Sequence, residues 1–182
     1  PDLQLPDRDI TVVHRADSSG TTWIFTNYLC KVSEEWKKGP GHSKAPKWPT
    51  GVAGPKNDGV AKLVRKIPLS IGYVEYAYAL TSNMAYAKMA NKAGKAVAPT
   101  IETFQSAAAH ADWKHAPGFY MVLTDQPGDE SWPITGATFI LIYKNQPDAD
   151  KAKAMLRYFD WCFDHGDKSA RELHYVPMPD NV

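Results

Sequence analysis

Short apolar runs and amphipathic stretches alternate along the first part of the chain. Ile10–His14 is a β-branched run that predicts a buried strand, and Trp23–Val32 behind it has the apolar spacing of a helix. A second helix is predicted at Val60–Lys66 with Asp58 as its N-cap, and Pro68–Tyr73 predicts another short strand. Because strands and helices alternate, the pattern predicts an α/β protein with at least partly parallel strands.

The middle of the chain mixes irregular and periodic stretches. Residues 37–57 are rich in Gly, Pro and Lys without a periodic pattern, so we expect a long irregular excursion there. Val74–Met84 predicts a turn or helix, and Lys92–Val97 predicts a small hairpin or turn around its glycine. A further helix is predicted to begin after Thr100, which is placed to cap it, and to run to about residue 111.

The last part of the chain contains the most convincing strand pattern of the sequence. Thr138–Tyr143 is a continuous run of β-formers, and Phe119–Leu123 is a further strand candidate. Ala149–His165 has apolar residues at helical spacing and is closed by Gly166, so it predicts an amphipathic helix. No internal repeat or low-complexity tract appears, and strands and helices also alternate here, as in an α/β protein.

Composition and charge narrow the classes of partner. Of the 182 residues, 43% are hydrophobic and 23% are charged, as in an ordinary globular protein. The net charge of +1 favours neither nucleic acid nor a membrane surface, so an anion would have to be bound by a local arrangement. Apolar runs such as Phe139–Tyr143 are too short to span a bilayer. The chain begins at Pro1 rather than Met, and we expect a processed, trimmed or partial polypeptide.

Cysteines and histidines do not form a recognisable metal or catalytic pattern. Cys30 and Cys162 lie in apolar, helix-like contexts, where two buried free thiols are favoured over a disulfide that stays open as an alternative. The six histidines lack the paired spacing of metal ligands, so we predict no metal site. No nucleophile, base and orienting residue stand together in the pattern, so we predict no catalytic residue and no cofactor. These histidines are His14, His42, His110, His115, His165 and His174.

The loop from residue 15 to residue 22 carries the main candidate chemistry. A strand ends there, and a helix begins within a run of small residues, so the first helical N–H groups point outward with the positive end of the helix dipole. Gly20 allows an anion to approach the backbone, while Ser19 and Thr21 add hydroxyl groups. Arg15 supplies a permanently charged fork of donors, and Asp17 two residues later is placed to hold it. Helix capping beside a surface ion pair would also explain this pattern, and the missing lysine excludes a nucleotide P-loop.

The same loop carries a family resemblance. RADSSGTT followed by WIFTNYL resembles the phosphate-binding proteins that serve bacterial ABC phosphate transporters. The resemblance continues in the same order over nearly the whole chain, through VSEEWK, KWPTGVAGPKNDGVAKLV, IGYVEYAYA, GKAVAPTIETF, ADW, SWPITGATFILIYK, YFDWCFDHG and LHYVPMPDNV. It implies that Arg15, Ser19, Gly20 and Thr21 contact phosphate and that Asp17 orients the arginine. Residues 57–59 are interpreted as a helix start that shapes the lobe rather than as ligands.

The resemblance also implies an architecture. The expected fold is a two-lobe, type II-like periplasmic binding protein, here with one nearly complete lobe and part of the other. Residues 1–131 would form most of the second, phosphate-gripping lobe, and residues 132–182 would form a crossover and the C-terminal part of the first lobe. A complete member has an additional N-terminal section whose Thr-Phe pair, serine and aspartate close on phosphate from the opposite side. We expect this chain to lack that section.

These implications lead to one main function and its alternatives. The chain is expected to be a non-enzymatic solute-binding protein, periplasmic or extracellular and attached at the cell surface, that delivers inorganic phosphate to an ABC permease. An N-terminal section or companion chain would complete the site, and no nucleic-acid partner is expected. A structural or interaction protein that reuses this fold, with the site completed by another chain or non-functional, is the alternative. A phosphoester hydrolase ranks third, because no nucleophile is evident.

Overall fold

The structure is a computed structural model that describes residues 6–182. The chain divides into two compact units, Pro1–Ala87 and Lys88–Val182, which are described separately. The lobe boundary expected near residue 131 concerns a complete two-lobe protein, and it stays a prediction.

A three-stranded parallel sheet organises the first unit. Its strands are β1 (Thr11–Arg15), β2 (Val52–Gly54) and β3 (Ser70–Gly72), in the order β2-β1-β3. Val13 in the central strand aligns with Val52 on one side and Gly72 on the other, and it is fully buried. The prediction of parallel strands is therefore confirmed, with β1 one residue later than the apolar run indicated.

Four helices accompany this sheet. They are α1 (Gly20–Val32), α2 (Glu34–Lys38), α3 (Lys56–Lys66) and α4 (Tyr76–Thr81). The predicted helices are confirmed, although α1 and α3 begin earlier than their apolar spacing suggested. The excursion is shorter than predicted, because α2 and β2 occupy its ends.

Asp58 does not cap α3. The N-cap position is Pro55, which makes no side-chain capping bond, and Asp58 lies in the first turn of the helix. Its carboxylate accepts a hydrogen bond from Lys62 Nζ at 2.7 Å, as expected for an i,i+4 pair on a helix surface. The predicted cap was wrong because the helix starts two residues before Asp58.

The connection between β2 and α3 is tightly packed around two glycines. A Cβ at Gly54 would lie 2.8 Å from the backbone nitrogen of Val60, and one at Gly59 would lie 2.6 Å from Cδ of Pro55. These distances are shorter than any ordinary carbon contact, so only glycine fits without movement. The close turn brings the start of α3 beside the end of β1.

The second unit begins with a hairpin and a well-capped helix. Strands β4 (Met89–Ala90) and β5 (Ala96–Val97) pair in antiparallel fashion, which confirms the predicted hairpin. Helix α5 (Ile101–Ala109) follows, and Thr100 and Thr103 form a reciprocal capping box at its start. The prediction of the cap is confirmed, and the helix ends two residues earlier than expected.

The predicted strands at Phe119–Leu123 and Thr138–Tyr143 are wrong. The first begins in a 3-10 turn at Pro117–Phe119, and neither belongs to a ladder among the described residues. Strand formation requires a partner for the backbone N–H and C=O groups, and this region contains only an isolated bridge between Thr124 and Ile134. A favourable side-chain pattern without a neighbouring strand therefore does not produce a strand.

The unit ends with α6 (Ala149–His165) and α7 (Asp167–Glu172), and Gly166 is the C-cap of α6 as predicted. A small core of Ala108, Trp113 and Leu123 lies elsewhere in the unit. Helix α6 buries no residue: apolar side chains such as Leu156 and Phe163 are exposed, and others such as Met155 are half-buried. Within residues 6–182 we find no helix that is both long and apolar enough to cross a membrane.

Candidate anion-binding site

The candidate site includes the loop between β1 and α1. Ser19 is the N-cap of α1, in an extended conformation, and its Oγ accepts a hydrogen bond from the Thr22 N–H at 3.2 Å. Gly20 is the first helical residue, and the position of its missing Cβ has no atom within 4 Å. The N-terminus of α1 therefore combines the positive end of a helix dipole with open space beside the backbone. Both features favour the binding of an oxyanion.

Arg15 forms a bidentate ion pair with Asp17. Nε of Arg15 donates to Oδ1 of Asp17 at 2.9 Å, and Nη2 donates to Oδ2 at 2.6 Å. The arginine side chain is only 9% exposed. These hydrogen bonds, together with one from the Lys56 N–H, hold the pKa of Asp17 well below its usual range, and the same contact raises the pKa of Arg15. The i,i+2 geometry expected from the sequence is present.

The start of α3 supplies two further contacts to this pair. Nη1 of Arg15 donates to Oδ1 of Asn57 at 3.2 Å, and the backbone N–H of Lys56 donates to Oδ1 of Asp17 at 2.9 Å. Lys56 has a φ of 57°, a left-handed conformation that is uncommon for lysine. Asn57 shapes the site through a direct bond to the arginine, which the sequence pattern did not indicate.

Residues after β3 border the loop on its other side. The Tyr73 hydroxyl lies 2.7 Å from Thr22 Oγ1 and accepts from the backbone N–H of Arg15 at 3.3 Å. Burial raises the pKa of Tyr73. Thr21 Oγ1 donates to Oε1 of Glu75 at 3.3 Å, so a carboxylate stands at the rim of the site. Neither contact was predicted from the sequence, in which Tyr73 ends a predicted strand and Glu75 follows it.

The sheet order explains why these groups meet. Parallel strands have their carboxyl ends at one edge, and β1 lies between β2 and β3. The segments that follow all three strands therefore converge at that edge, where open α/β sheets commonly bind ligands. The loop after β1 contributes the donors, and the segments after β2 and β3 contribute Asn57, Tyr73 and Glu75.

Aromatic side chains pack around His14 and Tyr73 beside the site. His14 is buried and stacks on Trp48 with ring centroids 4.7 Å apart, and Tyr73 stacks on Phe25 at 4.4 Å. The ring of Trp48 also approaches Tyr73. His14 thus has a packing role beside Arg15. Across residues 6–182, no group of three or more His, Cys, Asp or Glu side chains is arranged to hold a metal ion.

Comparison with known proteins places the chain in a family. A model of the PBP superfamily domain matches residues 1–161. The phosphate-binding protein PstS of Xylella fastidiosa (strain Temecula1) is 51% identical over 182 residues, which are all of this chain and 50% of that protein. PstS of Pasteurella multocida is 52% identical over 178 residues, covering 98% of this chain and 52% of the relative.

A more distant relative shows the same coverage. PstS of Methanocaldococcus jannaschii is 37% identical over 195 residues, covering 98% of this chain and 50% of that protein. The chain thus spans about half the length of the curated relatives it matches. The resemblance to phosphate-binding proteins is confirmed, and so is the mixed α/β class with a parallel sheet. The chain belongs to the PBP superfamily, with similarity to PstS phosphate-binding proteins along nearly all of its sequence.

Proposed function

We propose that this chain is the phosphate-gripping part of a solute-binding protein that captures inorganic phosphate for uptake by an ABC permease. The observation that carries the proposal is the Arg15 guanidinium, held by Asp17 beside the open N-terminus of α1. It occurs in a chain about half of whose residues are identical to those of proteins named for phosphate binding.

Each proposed phosphate contact has a distinct role. Arg15 contributes charge and a planar pair of donors that match two oxygens of a tetrahedral anion. Gly20 offers its backbone N–H, the N-cap Ser19 offers its hydroxyl, and Thr21 offers its hydroxyl on turning away from Glu75. All of these groups bind and none attacks, so the proposed function is binding and release without catalysis.

The rest of the whole protein is proposed to complete the site from the opposite side. Residues 132–182 would then belong with that remaining part, as the C-terminal portion of the other lobe. The exposed run at residues 139–143 and the exposed apolar positions of α6 support this, because apolar surface of that extent normally lies against another segment. The proposed location is the periplasm or the outer cell surface, where a solute-binding protein meets its permease.

The proposal is tested by calorimetry with inorganic phosphate on the full-length protein that contains this chain. We expect binding by the wild type, and Arg15→Ala should weaken it at least about 100-fold, because two charge-assisted hydrogen bonds are lost. Arg65→Ala, which removes an exposed arginine from the last turn of α3, is the matched control and should bind as the wild type does. Unchanged affinity in Arg15→Ala would contradict the assignment, and no binding by the wild type would favour a structural role.

A further inference from the structure

The hydrogen-bond donors of Arg15 are already partly committed. A guanidinium carries five N–H groups in one plane. Asp17 accepts from Nε and Nη2, and Asn57 accepts from Nη1. One N–H on each terminal nitrogen is left, and a pair of that kind is what a bidentate oxyanion contact uses.

The two acceptors fix different parts of the guanidinium. Asp17 holds the edge formed by Nε and Nη2, but a contact along a single edge still permits the plane to tilt about that edge. Asn57 holds the other terminal nitrogen, so its bond opposes the tilt. Together they define both the position and the plane of the group before any ligand arrives, which lowers the ordering cost of binding.

Asn57 is itself firmly placed. Only 6% of the residue is exposed, and it lies in the first turn of α3, immediately after the glycine-dependent turn from β2. The preceding Lys56 donates its backbone N–H to Asp17. Both acceptors of the arginine are therefore tied to the same short segment, which is far from Arg15 in sequence.

There is also a physical reason for an asparagine rather than a carboxylate at position 57. Two carboxylates, Asp17 and Glu75, already act electrostatically on Arg15. A third carboxylate at position 57 would hold the arginine equally well but would repel an approaching anion. The amide oxygen of asparagine accepts the hydrogen bond without adding charge.

We infer that Asn57 is a positioning residue for the anion site, which acts by fixing the plane of the Arg15 guanidinium. The inference rests on the proposed phosphate-binding function and adds a specific residue to it. Asn57 acts through Arg15, so its effect on phosphate affinity should depend on the arginine being present.

A double-mutant cycle on the full-length protein tests this dependence. Asn57→Ala should weaken the binding of inorganic phosphate about tenfold in the wild-type background, which is the size of one hydrogen bond to a charged group. In the Arg15→Lys background the same substitution should cause less than about a twofold loss, because lysine has no planar group for the amide to orient. Asp58→Ala, the neighbouring exposed position, is the control and should leave the affinity unchanged in both backgrounds.

A merely structural role would give a different result. Loss of packing around the β2–α3 turn would weaken phosphate binding by the same factor in both backgrounds, and that outcome would overturn the inference. Full affinity in Asn57→Ala would overturn it as well. Absence of phosphate binding by the wild type would instead contradict the proposed function.

A measurement without substitution keeps the inference testable if Asn57→Ala fails to fold. Nitrogen-15 NMR of the ligand-free, full-length protein should show separate, slowly exchanging Nη1 and Nη2 signals for Arg15, since bonds to both terminal nitrogens restrict rotation. The exposed Arg65 should show averaged signals in the same sample. Averaged signals for Arg15 would mean that its guanidinium is not fixed, and the inference would fail whatever the phosphate affinity.

Discussion

Asp17 joins three parts of the site through one carboxylate. Its oxygens accept from the side chain of Arg15 and from the backbone N–H of Lys56. Hydrogen bonds to the charged form favour ionisation, and they lower the pKa of Asp17 from its ordinary value of 3.8. A single side chain therefore orients the arginine, secures the start of α3 and offsets the positive charge of Arg15.

The lowered pKa predicts how stability depends on pH. Because the folded-state pKa of Asp17 is below its unfolded value, the ionised carboxylate stabilises the fold above about pH 4, and this contribution is lost as the pH falls through the folded pKa. Asp17→Asn should therefore reduce the free energy of unfolding at pH 7, and its difference from the wild type should narrow below about pH 4. Urea unfolding at a series of pH values measures both.

Asp58→Asn serves as the control for this prediction. Its carboxylate pairs with Lys62 on the exposed surface of α3, so we expect only a small effect on the free energy of unfolding at pH 7. A constant difference between Asp17→Asn and the wild type across the whole pH range would contradict the account.

At the scale of elements, the turn between β2 and α3 decides whether the site assembles. It carries Lys56 and Asn57 to the end of β1, and its geometry depends on the absence of side chains at Gly54 and Gly59. The strain at Lys56, whose φ is positive, is held in place by the surrounding contacts. The turn thus links packing in the sheet to the orientation of Arg15.

Gly54→Ala is expected to destabilise the protein by about 1–3 kcal/mol, because its Cβ would press on the backbone of α3, which cannot yield as a flexible side chain would. Chemical denaturation measures the change. Gly20→Ala is the matched control, since the space around that position is open and its stability should equal or slightly exceed that of the wild type. Equal stability of Gly54→Ala and Gly20→Ala would show that the β2–α3 turn is not tightly constrained.

At the scale of the whole molecule, the second unit exposes unusually apolar surface. Leu141 is 93% exposed and Tyr143 is 83% exposed, and an open groove beside them is lined by residues of α6 such as Met155 and Leu156. Monomeric proteins rarely leave such surface uncovered. Since the relatives are about twice as long as this chain, we propose that the remaining part of the whole protein covers it.

Leu141→Lys tests that assignment in two contexts. In the full-length protein a lysine placed under a covering segment should lower the melting temperature by roughly 5 °C or more, because an unpaired charge is buried. In the isolated chain the same substitution should leave the melting temperature nearly unchanged, because the position is exposed. Equal effects in the two contexts, measured by calorimetric melting, would contradict the proposed covering.

The sequence by itself determined the features that depend on neighbouring residues. Helices close their hydrogen bonds within four residues, so apolar spacing and capping side chains were enough to predict α1, α5 and α6. The contact between Arg15 and Asp17 spans two residues and was predicted in the same way.

Only the tertiary structure decided the features that depend on distant segments. Asn57 meets Arg15 across 42 positions, and Glu75 meets Thr21 across 54, because the order β2-β1-β3 brings three strand ends together. The run at residues 138–143 has the side chains of a strand but no strand partner among the described residues. The backbone groups of a strand bond to a neighbouring strand, and the local sequence pattern does not indicate which segment that neighbour is.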